Sequence, residues 1–487
     1  MAVPVEAFHL IPGEGGSLQS RIRAMVARGI LAGRFRAGAR LPSSRALALH
    51  LGVSRITVTL AYADLVASDY LVARGRSGYF VSETAPGGPD FAPEGPRAVA
   101  VDYAALTGRR FSAIERPEKP EDWERYPYPF IYGQADPALF DHHNWRQCAL
   151  RALGRREFSA LTSDQFERDD PMLIDMLRGM ILPRRGIAAA EDEVLLTLGA
   201  QNALWIAAAL LLRPGRTAVI ETPGYPGLAG IVAQTGATIR PVAVDAEGLP
   251  PEAAAGADAI FTTASHQCPT NATMPIARRL ALLEGAARSG AVVIEDDYEF
   301  EMSFLGPVAP ALKSLDAEGR VIHVGSFSKS VFPGLRLGYL VGPRDFIAEA
   351  RALRALMLRH PPGLIQRTTA HFLALGHYDA LVNRMRQAFR RRRQAMAEAI
   401  AGHGLRIAGQ GGFGGSSFWM EAPEGTDTDA LGLGLRARGV LIEPGRVFFA
   451  GPDAPRRFYR LAYSSIQPAR IPEGIARIAE ALKSGPS

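Results

Sequence analysis

The stretch Val321–Gly342, VIHVGSFSKSVFPGLRLGYLVG, decides how the chain is read. An apolar, β-branched run ends in Ser326, Ser328 and Lys329, and Arg336 follows in a Gly-Leu-Arg-Leu-Gly turn. An isolated lysine at the end of a buried strand is ordinarily salt-bridged or solvated at the sheet edge. Lys329 has company, however. Upstream, VVIEDDYEFE closes another apolar run with Asp296, Asp297 and Tyr298. Nearer the start of the same region, LTLGAQNAL leaves a third run through Gly199, Ala200 and Gln201 and enters a helix. Such a turn offers free backbone N–H groups at a helix N-terminus, which suits a phosphate.

One cofactor uses all of these parts. Pyridoxal 5'-phosphate needs a lysine amine for its imine, a carboxylate facing the pyridine nitrogen and a phosphate cradle. On that chemistry Lys329 takes the imine, Asp296 the pyridinium and Tyr298 the ring oxygen. Ser326, Ser328, Arg336 and the Gly199–Gln201 turn take the phosphate, Arg336 by charge. Spacing alone does not choose between Asp296 and its neighbour Asp297.

Working outward, VLLTL from Val194, TAVIE from Thr217, AIFTT from Ala259, AVVIE from Ala291 and VIHVG from Val321 read as short buried strands. Helical stretches such as PIARRLALLEGAARSG lie between them, which predicts a mostly parallel α/β sheet covered on both faces. From about residue 376 a basic helix and a closing IPEGIARIAEALKSG predict a smaller α+β subdomain. The arginine run RMRQAFRRRRQAM from Arg384 reads as a solvated face of an amphipathic helix rather than as a DNA patch.

The opposite end of the chain has a different character. Residues 1–85 hold ten Arg, no Lys and five acids, so +5 of the net charge of +6 lies in the first sixth of 487 residues. That asymmetry suggests a small basic module for polyanions joined to a nearly neutral body. SLQSRIRAMVARGILAG places Leu18, Ile22, Met25, Val26, Ile30 and Leu31 on one helical face. A second helix follows Pro42, a third runs from Ser54 to about Asp69, and YLVARGRSGYFVS reads as a hairpin with a basic tip. Three helices and a hairpin make a winged helix-turn-helix, α+β in class. Its third helix presents Ser54, Arg55 and Thr57 from the first turn, as major-groove readout requires, with Ile56, Leu60 and Ala61 facing inward. Ser43 and Arg45 at the preceding helix, and Arg74, Arg76 and Gly78 in the wing, are the expected contacts to DNA phosphates or the minor groove. The predicted domains are 1–82 for this head, 83–129 for a Pro- and Gly-rich linker, and 130–487 for the α/β body.

With these motifs in hand, the chain resembles a known family. SFSKSVFPGLRLGYL and IEDDYEFE look like the signatures of fold-type I aminotransferases, and ETPGYPG, SHQCPT and RLPSSRALALHLGVSRITV narrow the match to the MocR/GabR-type regulators. Those proteins join a GntR-like winged helix to an aminotransferase-like domain. The resemblance implies that Tyr225 stacks on or near the cofactor, that His266 and Gln267 lie near its ring, and that Arg460 holds the effector's carboxylate. It also implies a homodimer. Several residues depart from the family pattern: Asn271 replaces a usual glycine, Cys268 a frequent asparagine, and Gly227 the basic residue of a GABA-responsive member. LTSDQFERDDPM replaces a Tyr-Gly-Asp-Pro segment, and GGFGGSSFW is unusually rich in glycine.

The expectation is therefore a transcriptional regulator that binds operator DNA and senses a small amine, taurine-like rather than GABA, or the cofactor itself. The rival reading is an aminotransferase with an accessory DNA-binding head. No metal site is expected. Two cysteines, Cys148 and Cys268, cannot build a disulfide framework. The longest apolar run, ALWIAAALLL from Ala203, is about half of a membrane span. With no signal-peptide pattern at the start, a cytoplasmic location is expected.

Overall fold

Three helices and a hairpin occupy the first of two units into which the chain divides, Met1–Arg109 and Arg110–Ser487. The structure, a computed structural model, describes residues 2–11, 15–86, 101–107, 111–451 and 453–484. In the first unit α1 (Leu18–Leu31) is capped by the Ser17 hydroxyl, α2 (Ser44–Leu51) by Ser43 and α3 (Arg55–Ala67) by Ser54. Each cap accepts a hydrogen bond from a first-turn N–H that no helical carbonyl can serve. Strands β1 (Leu71–Ala73) and β2 (Tyr79–Val81) pair antiparallel as the wing. The core is a single cluster in which Ile22, Val26, Leu47, Val58, Ala61 and Tyr62 are fully buried. Two expected inward residues of α3 are not inward: Ile56 is 71% and Leu60 47% exposed. The buried stripe runs through Val58, Ala61, Tyr62 and Leu65, at spacings of three, one and three, and the other two fall off it.

The second unit is built on seven strands: β3 (Val194–Thr197), β4 (Thr217–Thr222), β5 (Thr238–Ala243), β6 (Ala259–Thr262), β7 (Val292–Asp296), β8 (Val321–Ser326) and β9 (Gly338–Val341). Their order is β3-β9-β8-β7-β6-β4-β5, parallel except for β9, which runs antiparallel to both neighbours. All five strands expected from sequence are present. The two that were not anticipated have physical reasons to be quiet. β5 lies at the edge, half-exposed and interrupted by Arg240 and Pro241, which only an edge strand accommodates. β9 is four residues long and sits inside the lysine motif itself.

Helices α4 (Ala200–Leu211), α5 (Pro226–Ala233) and α7 (Arg344–Leu358) cover one face through Leu204, Val232, Ile294 and Ile347. Helix α6 (Ile276–Ser289) covers the other through Leu282, Ala286 and Val293. The small subdomain carries a four-stranded antiparallel sheet and two long helices, α8 (His377–Gly402) and α9 (Ile471–Ser484). Here the arginine run of α8 departs from expectation. Arg386 donates to the Glu301 carbonyl at 2.6 Å, Arg390 to that of Phe304, Arg393 to that of Gly411 at 2.6 Å, and Arg392 is buried against Asp136 and the Ser464 carbonyl. Arg386, Arg392 and Arg393 are structural donors that satisfy loop carbonyls, while Arg390 and Arg391 remain exposed, so the expected solvated face is present only in part.

The segment LTSDQFERDDPM has an equally structural account. Asp169 binds both Arg351 and Arg354 of α7, and Asp170 caps the helix Pro171–Met176. Among the described residues no helix is long and apolar enough to cross a membrane, and both cysteines are free and buried.

At the end of β7 the chain carries two adjacent carboxylates, and Arg185 decides their fates. Its guanidinium reaches Asp297 at 2.6 Å with both side chains fully buried. Replacing Arg185 by Met is expected to leave Asp297 charged and unpaired, lowering the stability of the second unit by about 3–5 kcal/mol. Urea unfolding followed by intrinsic fluorescence measures this, and adding Asp297→Asn in the same chain should recover part of the loss.

Candidate functional site

The carboxyl ends of β3, β4, β6, β7 and β8 converge on one edge of the sheet, and antiparallel β9 begins there. Open α/β sheets bind ligands at this edge. A cavity of about 310 Å³ opens at it, lined by Lys329, Asp296, Tyr298, Ser326, Ser328, Ala200, Gln201, Tyr225, Arg336 and Arg460. Residues that stand up to 260 positions apart in sequence are thus brought together.

Strand alternation selects between the two carboxylates. Ile294 belongs to the cluster on the α4 face and Val293 to that on the α6 face. Asp296 follows Ile294 into the cavity, while Asp297 points the other way, to Arg185. Burial, with Asp297 and Glu221 adding to it, pushes the Asp296 carboxyl up to about 7. Its buried Oδ1 has no hydrogen-bond partner among the described residues. A buried carboxylate oxygen in that condition calls for a ligand donor, and a protonated pyridine nitrogen is one.

Lys329 is half-buried, its Nζ 4.2 Å from the centre of the Tyr132 ring. Burial, and next the cation of Lys119, lower its amine to about 8, so a nucleophilic neutral fraction is present near neutrality. Gly199 adopts φ 80°, in the left-handed region, and turns β3 into α4. An added Cβ there would stand 3.6 Å from the Arg336 guanidinium, so the turn, the start of α4 and Arg336 form one cradle. The first N–H groups of α4 have no helical acceptor. Ser326 is buried beside it, and the Ser328 hydroxyl is a second buried group without a partner. These residues fit pyridoxal phosphate: an amine, a free carboxylate oxygen and an anion cradle share one cavity.

Tyr225 precedes α5 and lines the cavity, its phenol pushed up to about 12 chiefly by burial. Tyr298 is raised further for the same reason. His266 and Gln267 are set back from the lining. His266 lies 3.2 Å from Ser303 and 4.0 Å from Glu299, and burial holds it neutral, down to about 4. Gln267 binds Glu221, the Cys268 carbonyl and Thr270. Asn271 has φ 58°, a conformation that glycine and asparagine both tolerate, which accounts for the exchange; its amide also holds the Ser417 carbonyl.

Arg460 is buried, bound by Glu443 at 2.7 Å and stacked 4.1 Å over Tyr132. The sequence reading missed Tyr132, Arg116, Glu443 and Lys119, which reaches Glu443 at 3.5 Å. Lys119 lies in the Pro-rich stretch where no periodicity gave a signal. Glu443 looks like an ordinary strand residue until its pairing with Arg460 across the sheet is known.

In the first unit Arg45, Ser54 and Arg55 are exposed and Thr57 is half-buried at the start of α3. Ser43 and Ser54 spend their hydroxyl acceptors on helix caps. Arg74 is 53% exposed, over the Phe80 ring and 3.8 Å from Glu83. Gly78 closes the wing turn at φ 98° beside Arg40, a cation absent from the sequence reading whose backbone bridges Phe80. The side chain of Arg76 lies outside the described residues.

Comparison with known proteins gives concordant results. Residues 18–81 match the family of bacterial regulatory proteins of the gntR type, and residues 183–478 match aminotransferase class I and II. The HTH-type transcriptional regulator TauR of Rhodobacter capsulatus is 63% identical over 99% of this chain and 100% of its own length. The probable rhizopine catabolism regulatory protein MocR of Rhizobium meliloti is 30% identical over 93% and 91%. Among solved structures, the α-aminoadipate aminotransferase LysN of Thermus thermophilus superposes with a TM-score of 0.71 at 26% identity, covering 79% of this chain and 99% of that one.

The Asp296 carboxyl has a sign that experiment can read. In the cofactor-free fold it keeps its proton to about pH 7, whereas unfolded it ionises near 4. Between those values unfolding releases a proton, so this group makes stability fall as pH rises. Urea midpoints of the cofactor-free protein between pH 4 and 7 should therefore fall less steeply in Asp296→Asn than in the unmodified chain.

Proposed function

The chain belongs to the MocR/GabR-type regulators, a GntR winged helix fused to a class I and II aminotransferase domain, and on that premise we propose that it reads a small amine through pyridoxal 5'-phosphate and reports it to operator DNA. The observation that carries the reading is the unpartnered buried Asp296 oxygen in the same cavity as Lys329. Pyridoxal phosphate, when bound, supplies an electrophilic carbon that condenses reversibly with primary amines. Lys329 would be the resident amine, Asp296 the partner of the ring nitrogen and Tyr298 that of the ring oxygen. Ser326, Ser328, Arg336 and the Gly199–Gln201 turn would hold the phosphate. Tyr225 would pack on the ring, and Arg460, steadied by Glu443, would face the bound effector from the small subdomain.

An effector amine competes with Lys329 for the same position, and a released Lys329 amine needs new neighbours. Coupling of that local change to the head amounts to a difference in DNA affinity, typically ~1–3 kcal/mol. The head would read paired half-sites as part of a homodimer. An ω-amino sulfonate such as taurine is favoured over GABA: Gly227 in the first turn of α5 brings no cation, and the 63% identical relative bears the name TauR.

Two variants separate the halves. Lys329→Ala should bind the chain's own upstream DNA as tightly as the unmodified protein in fluorescence anisotropy, yet lose visible cofactor absorbance and any shift with taurine. An unchanged shift would refute the lysine's part in sensing. Arg55→Ala should keep the absorbance and weaken operator binding about tenfold or more, with a shallower salt dependence. DNA binding no tighter than to a scrambled duplex, together with turnover of an amine, would instead favour the aminotransferase reading.

A further inference from the structure

Residues 114–119 form a strap that is pinned to the aminotransferase-like unit at several points. Ile114 lies against α5, where a Cβ added to Gly230 would meet its Cδ1 at 3.4 Å. Glu115 pairs with Arg446 at 2.6 Å, Glu118 with Arg436 at 3.5 Å, and Lys119 with buried Glu443 at 3.5 Å. Lys119 also donates to the Tyr132 carbonyl. Between these pins Arg116 and Pro117 form part of the wall of the 310 Å³ cavity that holds Lys329.

The cations of that wall differ in how they are matched. Arg460 has Glu443. Arg336 stands at the Gly199 turn and donates to the Leu198 carbonyl at 3.4 Å, in the anion cradle. Lys329 is the reacting amine of the proposed site. Arg116 is left: among the described residues it has no carboxylate partner and no hydrogen-bond acceptor, although it belongs to the cavity lining. The wall beside it cannot supply another cation, because a Cβ at Gly227 would already lie 2.9 Å from the Tyr225 ring. Arg116 is near enough to Tyr225 for its charge to act on the phenol.

We propose that Arg116 is a specificity-determining residue which receives the anionic end of an ω-amino acid or ω-amino sulfonate whose amine lies at Lys329. A guanidinium presents a planar fork of donors that matches the oxygens of a sulfonate or carboxylate. The inference rests on the reading of the cavity as an amine-sensing, cofactor-holding site, and the pinned strap fixes the backbone from which this exposed arginine joins the cavity wall.

The test is calorimetric titration of the full-length, cofactor-loaded protein with three amines of similar length: taurine, β-alanine and ethanolamine, the last without an anionic end. Arg116→Ala should weaken taurine and β-alanine about tenfold, equivalent to ~1.4 kcal/mol, and leave ethanolamine unchanged. Arg116→Lys should recover part of the loss, and cofactor absorbance and operator binding should be unaltered in both variants. The proposal is overturned if Arg116→Ala binds taurine as tightly as the unmodified chain, or if affinity for all three amines falls equally. It is also overturned if the variant loses cofactor absorbance, which would make Arg116 a phosphate ligand. Failure of the unmodified protein to bind any of the three would sink the proposed function itself, and the role of Arg116 with it.

Discussion

Two neighbouring carboxylates at the end of a buried strand repel one another, and everything at the cavity follows from how that repulsion is resolved. Arg185 takes Asp297, and His323 lies 4.0 Å away on the same side. Glu295, one turn of the pleat earlier, is met by His323 at 3.0 Å and Arg279 at 3.9 Å. A buried network of two arginines, a histidine and two carboxylates therefore satisfies the α6 face of β7. Asp296, on the opposite face, is left with burial and like charges around it and no donor. Removing charge from one face creates the demand for a ligand on the other.

That demand is answered at the sheet edge because of a single reversal of strand direction. Strands β3 and β8 both end at this edge, and β9, which runs between them antiparallel, must begin there. The loop from β8 to β9 carries Lys329 and Arg336, so an amine and a guanidinium of the cavity wall hang from one short connection. The turn out of β3 adds the Gly199 cradle and the N-terminus of α4. A parallel β9 would have sent Arg336 to the far side of the sheet.

Charge matching also separates structural from functional arginines. Arg185, Arg279, Arg354 and Arg392 are buried and bound to carboxylates or carbonyls. They satisfy buried acceptors that would otherwise cost free energy to leave unmade. The arginines of the head differ: Arg45 and Arg55 stand exposed on short, well-capped helices. Long flexible cations held away from carboxylates are what phosphate recognition uses.

Much of this was legible from the amino-acid sequence. The strand ends carrying Asp296 and Lys329, the Gly-Ala-Gln turn and the helix starts after Pro42 and at Ser54 are local signals, since strand patterning and turn chemistry act over a few residues. Local signals could not choose between Asp296 and Asp297, because a strand's period of two says that they face apart but not which face is covered by which helix. Nor could they find Tyr132, Glu443, Lys119 and Arg116, whose places depend on pairing across the small sheet and on where a Pro-rich segment docks. Ile56 and Leu60 failed for a related reason: their side chains are apolar, yet the core stripe of α3 is set by its contacts with α1 and α2. The sequence by itself determined the two modules and the residue types that stand at their strand ends and helix starts. Which acid faces the cavity, and which cations are free to meet a ligand, was decided by tertiary structure, because only packing determines which charges are already neutralised.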